Sequence, residues 1–250
     1  MTIKGIFFDL FGTLLIYSNN AWSVWFSVFY NCLNEYGLEI SKNSFAKLCN
    51  GFFGKPEPSI QDDKLTVYEH RIKDFSINLD LELEKQWIKN VATLCVNAFQ
   101  KQVKLDPDTL PVLKTLKENK ILAIVSNFDH PPHIHNILFN LNIKRFFNSI
   151  IISGEVGVKK PHPKIFSYAL HETNLQSSEV VYVGDALEDI QGAQAANIYP
   201  ILIRRDKLGK NGLMTYYTLT QNYINTFGEK SMIGNFKTIF KLTELLELFP

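Results

Sequence analysis

From Leu105 to Ile203 short apolar runs alternate with helical patterns, and this alternation constrains the fold more than any other feature. The apolar runs are Ile121–Ser126, Ser149–Ser153, Val180–Gly184 and Pro200–Ile203. Helical patterns lie between them, over Pro132–Leu141, Pro163–Thr173 and Glu188–Ala196, with another at Pro107–Asn119 ahead of the series. Nearly continuous apolar runs mark strands buried on both faces. Strands separated by helices imply an α/β, Rossmann-like parallel sheet covered by helices on both sides. In such sheets functional groups gather beyond the carboxyl ends of the strands.

The chain opens with a further strand, Lys4-Gly-Ile-Phe-Phe-Asp-Leu-Phe-Gly-Thr-Leu-Leu15, which carries Asp9 before Gly12 and Thr13 turn the backbone. A carboxylate on an apolar strand is costly to desolvate and calls for a partner, such as a metal ion or a strong donor. Taken alone, Asp9 reads equally as a cap of the next turn or as a reactive group. Asp9, Ser126 and Asp185 share the same placement at a strand's carboxyl end.

Between Ser18 and Lys104 no strand is expected. Helical patterns cover Ala21–Tyr36, Ser44–Phe53, Asp63–Phe75 and Leu81–Val103, so residues 18–104 form an all-helical domain inserted after the first strand. Residues 1–17 and 105–250 then make up the α/β core. Asn19-Asn20 supplies an N-cap for the first helix and Gly37 its stop. An aromatic stripe on that helix, including Trp22, Trp25, Phe26 and Phe29, serves either as core or as a pocket lining. Gly54–Pro58 reads as a loop, as does the polar stretch Arg204–Gly234, followed by an edge strand near Phe236–Phe240 and a closing helix at Thr243–Phe249.

A net charge of +1 and the absence of a basic stripe argue against nucleic acid and against an anionic membrane surface. Three cysteines, Cys32, Cys49 and Cys95, fit neither a disulfide framework nor a zinc set, and read as reduced thiols in helices. Asp9 interrupts the N-terminal apolar run, which therefore does not read as a signal peptide, and no stretch reaches the length of a membrane span. A soluble, cytoplasmic protein is expected. His130-Pro-Pro-His133-Ile-His135 reads as a loop entering a helix rather than a zinc set, which would need more well-spaced ligands.

Four stretches stand in order: Asp9-Leu-Phe-Gly-Thr13, Val125-Ser-Asn-Phe-Asp129, Lys159-Lys160-Pro161 and Gly184-Asp-Ala-Leu-Glu-Asp189. Together they resemble the four motifs of the haloacid-dehalogenase-like hydrolase superfamily. The helical insert between the first two is similar to the cap of its phosphoglycolate-phosphatase and dehalogenase branch. The resemblance implies a magnesium-dependent phosphatase of a small phosphorylated metabolite. Asp9 would be the nucleophile, passing through an aspartyl-phosphate, and Lys160 would neutralise charge. Ser126, Asn127 and Thr13 would bind the phosphate. Asp9, Asp185 and the backbone carbonyl of Phe11 would hold Mg2+, with Asp189 in support. Without the resemblance, Asp185 and Asp189 read as an acidic pair at a helix N-terminus.

The chain departs from this pattern at Phe11, where phosphatases of the family carry a second Asp as general acid and base. General acid–base catalysis contributes roughly 10²–10⁴-fold, about 3–5 kcal/mol of barrier. Turnover is therefore expected to be slow, except with good leaving groups. Two alternatives follow from this position: a catalytically weak phosphate-binding or regulatory protein, and a metal-independent 2-haloacid dehalogenase, whose motif carries an aromatic there.

Overall fold

The structure, a computed structural model, describes residues 2–54, 64–205 and 235–250. The sequence expectations for Gly54–Pro58 and Arg204–Gly234 fall largely outside these residues. By contacts the chain divides into two units.

The first unit comprises Met1–Asn19, Lys104–Phe128 and Ile134–Pro250. Its centre is a six-stranded sheet: β1 (Gly5–Phe8), β4 (Ile121–Ser126), β5 (Ser149–Ile152), β6 (Val180–Gly184), β7 (Tyr199–Ile203) and β8 (Lys237–Ile239). The order is β5-β4-β1-β6-β7-β8, and every pairing is parallel. The strand residues of β1 and β6 are buried throughout, as strands covered on both faces require. Helices α5 (Thr109–Leu116), α6 (Pro131–Asn140), α8 (Lys164–Thr173) and α9 (Leu187–Ala195) connect the strands, with a short α7 (Ser153–Val156) and a closing α10 (Glu244–Leu248). The α/β reading of the core is borne out.

Local readings needed correction in places. The opening apolar run is two strands: β1 stops at Phe8, and β2 (Leu15–Tyr17) pairs in a separate two-stranded sheet with β3 (Val103–Leu105). Gly12, at φ +87°, makes the break, because a chain turning through the left-handed region leaves the extended path. β3 was hidden because its apolar residues continue the helical pattern of the preceding segment. α6 begins at Pro131, one residue ahead of the Pro132 start read from the sequence, since a first helical turn does not need those amide donors.

The second unit comprises Asn20–Val103 and Asp129–His133. Its helices are α1 (Ala21–Glu35), α2 (Lys42–Leu48), α3 (Val67–Ile77) and α4 (Lys85–Gln100), with one 3-10 turn at Phe52–Gly54. Ala21, Trp25, Phe29, Cys32 and Leu33 are the buried face of α1, so Trp25 and Phe29 of the aromatic stripe are core, while Phe26 is half-buried and Trp22 stays 40% exposed. Trp25 and Phe29 pack against Phe52 at ring separations of 5.7 and 5.5 Å. Asn20 precedes α1 without a side-chain capping bond. Thr66 and Glu69 instead close a reciprocal capping box at the start of α3.

Residues 129–133 pack on α3. Arg71 Nε donates to Asp129 Oδ2 at 2.6 Å, the Tyr68 amide donates to the Asp129 carbonyl, and Thr66 Oγ1 lies 2.9 Å from His130 Nδ1. Burial, with the neighbouring His130, pushes His133 down from 6.5 to about 4. A depressed histidine binds its proton more readily in the unfolded chain, so its stabilising contribution is complete above pH 6.5 and is lost as pH falls toward 4. Replacing His133 with Gln should therefore change the acid dependence of urea unfolding. Between pH 7.5 and 4.5 wild type should lose about 2–3 kcal/mol more than the variant. Equal losses in the two chains would refute this.

Candidate active site

The sheet register sets the site. Phe8 stands level with Ile124 and with Val183, so Asp9, Ser126 and Asp185 emerge within two residues of one level. β1 hands Asp9 over with its amide still bonded to the Val183 carbonyl at 2.8 Å. Asp185 follows β6 directly, and Asp189 lies in the first turn of α9.

All three carboxylates are buried, and one oxygen from each lies within 4.8 Å of the others. Two glycines make this crowding possible. A Cβ on Gly12 would lie 2.1 Å from Asp185 Oδ2, and one on Gly184 would lie 2.4 Å from the Asp189 carboxyl carbon. Neither position accepts a side chain without displacing a carboxylate.

Lys160 reaches this cluster from the segment before α8. Its Nζ donates to Asp9 Oδ1 at 2.6 Å, to Asp189 Oδ1 at 2.6 Å and to Tyr182 Oη at 2.9 Å, which uses all three ammonium protons. Burial opposes its charge, but Asp189 and Asp9 beside it hold its pKa above the usual lysine value. Asp9 is pushed up to about 7 by burial, with Lys160 pulling down and Asp189 pushing up. Asp185 is raised well above the ordinary carboxylate range, by burial first and then by Asp9 and Asp189. Three buried carboxylates with one ammonium among them form a donor set suited to a divalent cation. A hard divalent cation, which takes a few carboxylate oxygens, fits these residues.

The remaining expected residues are placed as follows. Ser126 is buried at the last position of β4. The Thr13 hydroxyl is directed at Asp185 Oδ1, 3.4 Å away. Asn127 clamps the backbone of Lys160: its Oδ1 accepts from the Lys160 amide at 2.8 Å and its Nδ2 donates to the Lys160 carbonyl at 3.1 Å. The Phe11 ring stacks on Phe128 at 5.3 Å, with 23° between planes.

Tyr182 was missed at the sequence level. It sits in the fully buried β6, where its hydroxyl receives Lys160 and donates to the Val125 carbonyl at 2.8 Å. A tyrosine inside an apolar strand is the available signal, because a buried phenol needs a partner.

The fold occurs in solved structures of more than one chemistry. A phosphatase from Thermococcus onnurineus matches with a TM-score of 0.62 at 22% identity, covering 98% of this chain and 97% of that one. A 2-haloacid dehalogenase from Pseudomonas syringae matches at 0.63 and 19%, covering 99% and 98%. At these identities the likeness concerns the fold alone. A glyceraldehyde 3-phosphate phosphatase from Methanopyrus kandleri is 40% identical over 104 residues, which is 40% of this chain and 44% of that protein. The chain therefore matches less than half the length of this relative. Among the described residues no helix is long and apolar enough to cross a membrane. The family model for haloacid dehalogenase-like hydrolases matches residues 3–197. With well over half of its length matched, the chain belongs to the haloacid dehalogenase-like hydrolases.

Proposed function

We propose that this hydrolase is a magnesium-dependent phosphatase of a small phosphate ester. The observation that carries the reading is the buried cluster of Asp9, Asp185 and Asp189 around the Lys160 ammonium. The phosphatase name of the Methanopyrus kandleri relative supports it.

In this reading Asp9 attacks phosphorus. Its bond to phosphorus forms as the bond to the leaving oxygen breaks, and water then hydrolyses the aspartyl-phosphate. Asp9, Asp185 and the Phe11 carbonyl would hold Mg2+, which supplies positive charge to the phosphoryl oxygens when bound. Lys160 provides a second, permanent positive charge and lowers the cost of an ionised Asp9. Ser126 and the backbone around Asn127 and Thr13 would donate to the phosphoryl group. The Asn127 side chain acts indirectly, by fixing Lys160. Asp189 orients the ammonium from the other side.

Phe11 offers no proton to the leaving oxygen. The reading therefore favours substrates whose leaving group departs readily as an anion. Phosphate release from p-nitrophenyl phosphate should require Mg2+ and should fall to background with excess chelator. Activity that ignores the chelator would defeat the magnesium assignment.

A second reading, a 2-haloacid dehalogenase, draws on the aromatic at position 11. Two observations weigh against it: the paired fourth-motif carboxylates, and Arg71, the arginine of the helical insert, whose Nε is engaged by Asp129. Halide release from a 2-haloacid in the presence of chelator would reverse the order of the two readings.

A further inference from the structure

We propose that Arg205 is a positioning residue that grips the loop behind the nucleophile. The inference rests on the phosphatase reading only for its kinetic test. Arg205 follows β7, two strands away from β1 in the sheet, yet its guanidinium turns back onto the Asp9 loop. Nε donates to the Gly12 carbonyl at 3.0 Å, and Nη2 donates to the Thr13 carbonyl. Nη1 pairs with Asp106 Oδ2, in a side-chain environment only 10% exposed for the arginine and 6% for the aspartate.

Asp106 is itself tied to the same stretch of chain. Its amide donates to the Leu14 carbonyl at 3.1 Å, and Thr109 Oγ1 donates to that carbonyl at 2.9 Å. The carbonyls of Gly12, Thr13 and Leu14 are thus all occupied by donors from the Arg205–Asp106 side. On the other side, Gly12 abuts Asp185 so closely that a Cβ would overlap its carboxylate, and the Thr13 hydroxyl points at the same group. The loop is held between Arg205 and Asp185, so movement of Gly12 or Thr13 is movement against Asp185.

A trans peptide sets its N–H opposite its C=O. Anchoring the Gly12 carbonyl therefore directs the Thr13 amide away from Arg205. Asp106 balances the guanidinium's charge, so the residue acts by geometry rather than as an extra cation at the phosphoryl group. The planar fork matters, because an ammonium cannot match two carbonyls and a carboxylate with the same fixed spacing.

The test combines two measurements on Arg205→Ala, Arg205→Lys and wild type. Hydrogen–deuterium exchange over residues 10–15 reads the loop with no turnover, and at least tenfold faster exchange is expected in Arg205→Ala. With p-nitrophenyl phosphate and Mg2+, kcat should fall about a hundredfold while KM changes little, the pattern of a misplaced reacting group. Arg205→Lys, which keeps a positive charge opposite Asp106 and preserves a readable chain should the alanine variant fail to fold, should recover Tm more fully than kcat. Unchanged exchange over residues 10–15 would overturn the proposal whatever the activity. Wild-type kcat combined with a lowered Tm would reduce Arg205 to a staple of the fold. Absence of hydrolysis by wild type would defeat the phosphatase reading and leave the exchange experiment to decide this one.

Discussion

Phosphate release by an Asp9→Asn chain is expected to drop by about 10⁴-fold or more, the scale of loss when a nucleophile is removed from an otherwise intact site. The substitution is nearly isosteric. The amide oxygen of Asn can still accept from Lys160 Nζ, which lies 2.6 Å from Asp9 Oδ1 in the native chain. The variant should therefore fold. It should also relieve one of the charges that raise Asp185, since Asp9 is the largest cause there after burial. Thermal stability close to wild type, or slightly above it without Mg2+, separates loss of chemistry from loss of structure. Retained hydrolysis of p-nitrophenyl phosphate would remove Asp9 from the reaction and with it the covalent mechanism.

The second large effect belongs to Lys160→Met. Here stability and activity should both suffer. Methionine fills similar space but leaves Asp9 and Asp189, 9% and 1% exposed in their side chains, without their shared cation. Breaking a buried pair by removing one partner typically costs about 3–5 kcal/mol. The direction of the pH effect follows from the same carboxylates. Lys160 holds the raised Asp9 down, so without the ammonium folded Asp9 rises further above its unfolded value, the folded state binds more protons and it is favoured by acid. The deficit of the variant against wild type should shrink as pH falls from 7 toward 5, and Mg2+ should recover part of it at pH 7 by binding the native carboxylates. Activity should fall about 10²–10³-fold, as when one preorganised electrostatic donor is lost. Urea unfolding at the two pH values checks the first claim and steady-state kinetics the second. A variant as stable as wild type at pH 7 would mean that Lys160 does not offset the buried charge.

Much of this site is legible in the sequence alone. Strands buried on both faces betray themselves by unbroken apolar runs, so Ile121–Ser126 and Val180–Gly184 were placed at their observed bounds. Once those strands are parallel, the level of Asp9, Ser126 and Asp185 follows from the register. What escaped were contacts made by groups whose partners lie far along the chain. Asn127 stood beside Ser126 in sequence, yet nothing local says that its amide is used on the backbone of a residue 33 positions later. Tyr182 was counted as an apolar strand residue, because its ring serves the core while its hydroxyl serves Lys160. Arg205 looked like part of a polar loop beginning at Arg204; its role depends on the return of the guanidinium over a span of 193 residues. β3 failed for a simpler reason, since three residues are too few to show a period of two against a helical background.

The two hydrogen bonds between Asn127 and the backbone of Lys160 have a bearing on the order of events in the proposed covalent cycle. Once Asp9 carried a phosphoryl group, its carboxylate would be an acyl phosphate, a mixed anhydride, and its charge would be gone, so the Lys160 side chain would lose much of its attraction to that partner. A lysine held by its ammonium alone would keep only Asp189 and Tyr182 at the moment the intermediate must be cleaved. Here the residue is anchored at its peptide groups instead, through two bonds that no chemical step consumes. In the proposed cycle the charge would change hands at the tip while the base of the side chain keeps its address, and the site would enter hydrolysis of the intermediate with the same frame in which it began.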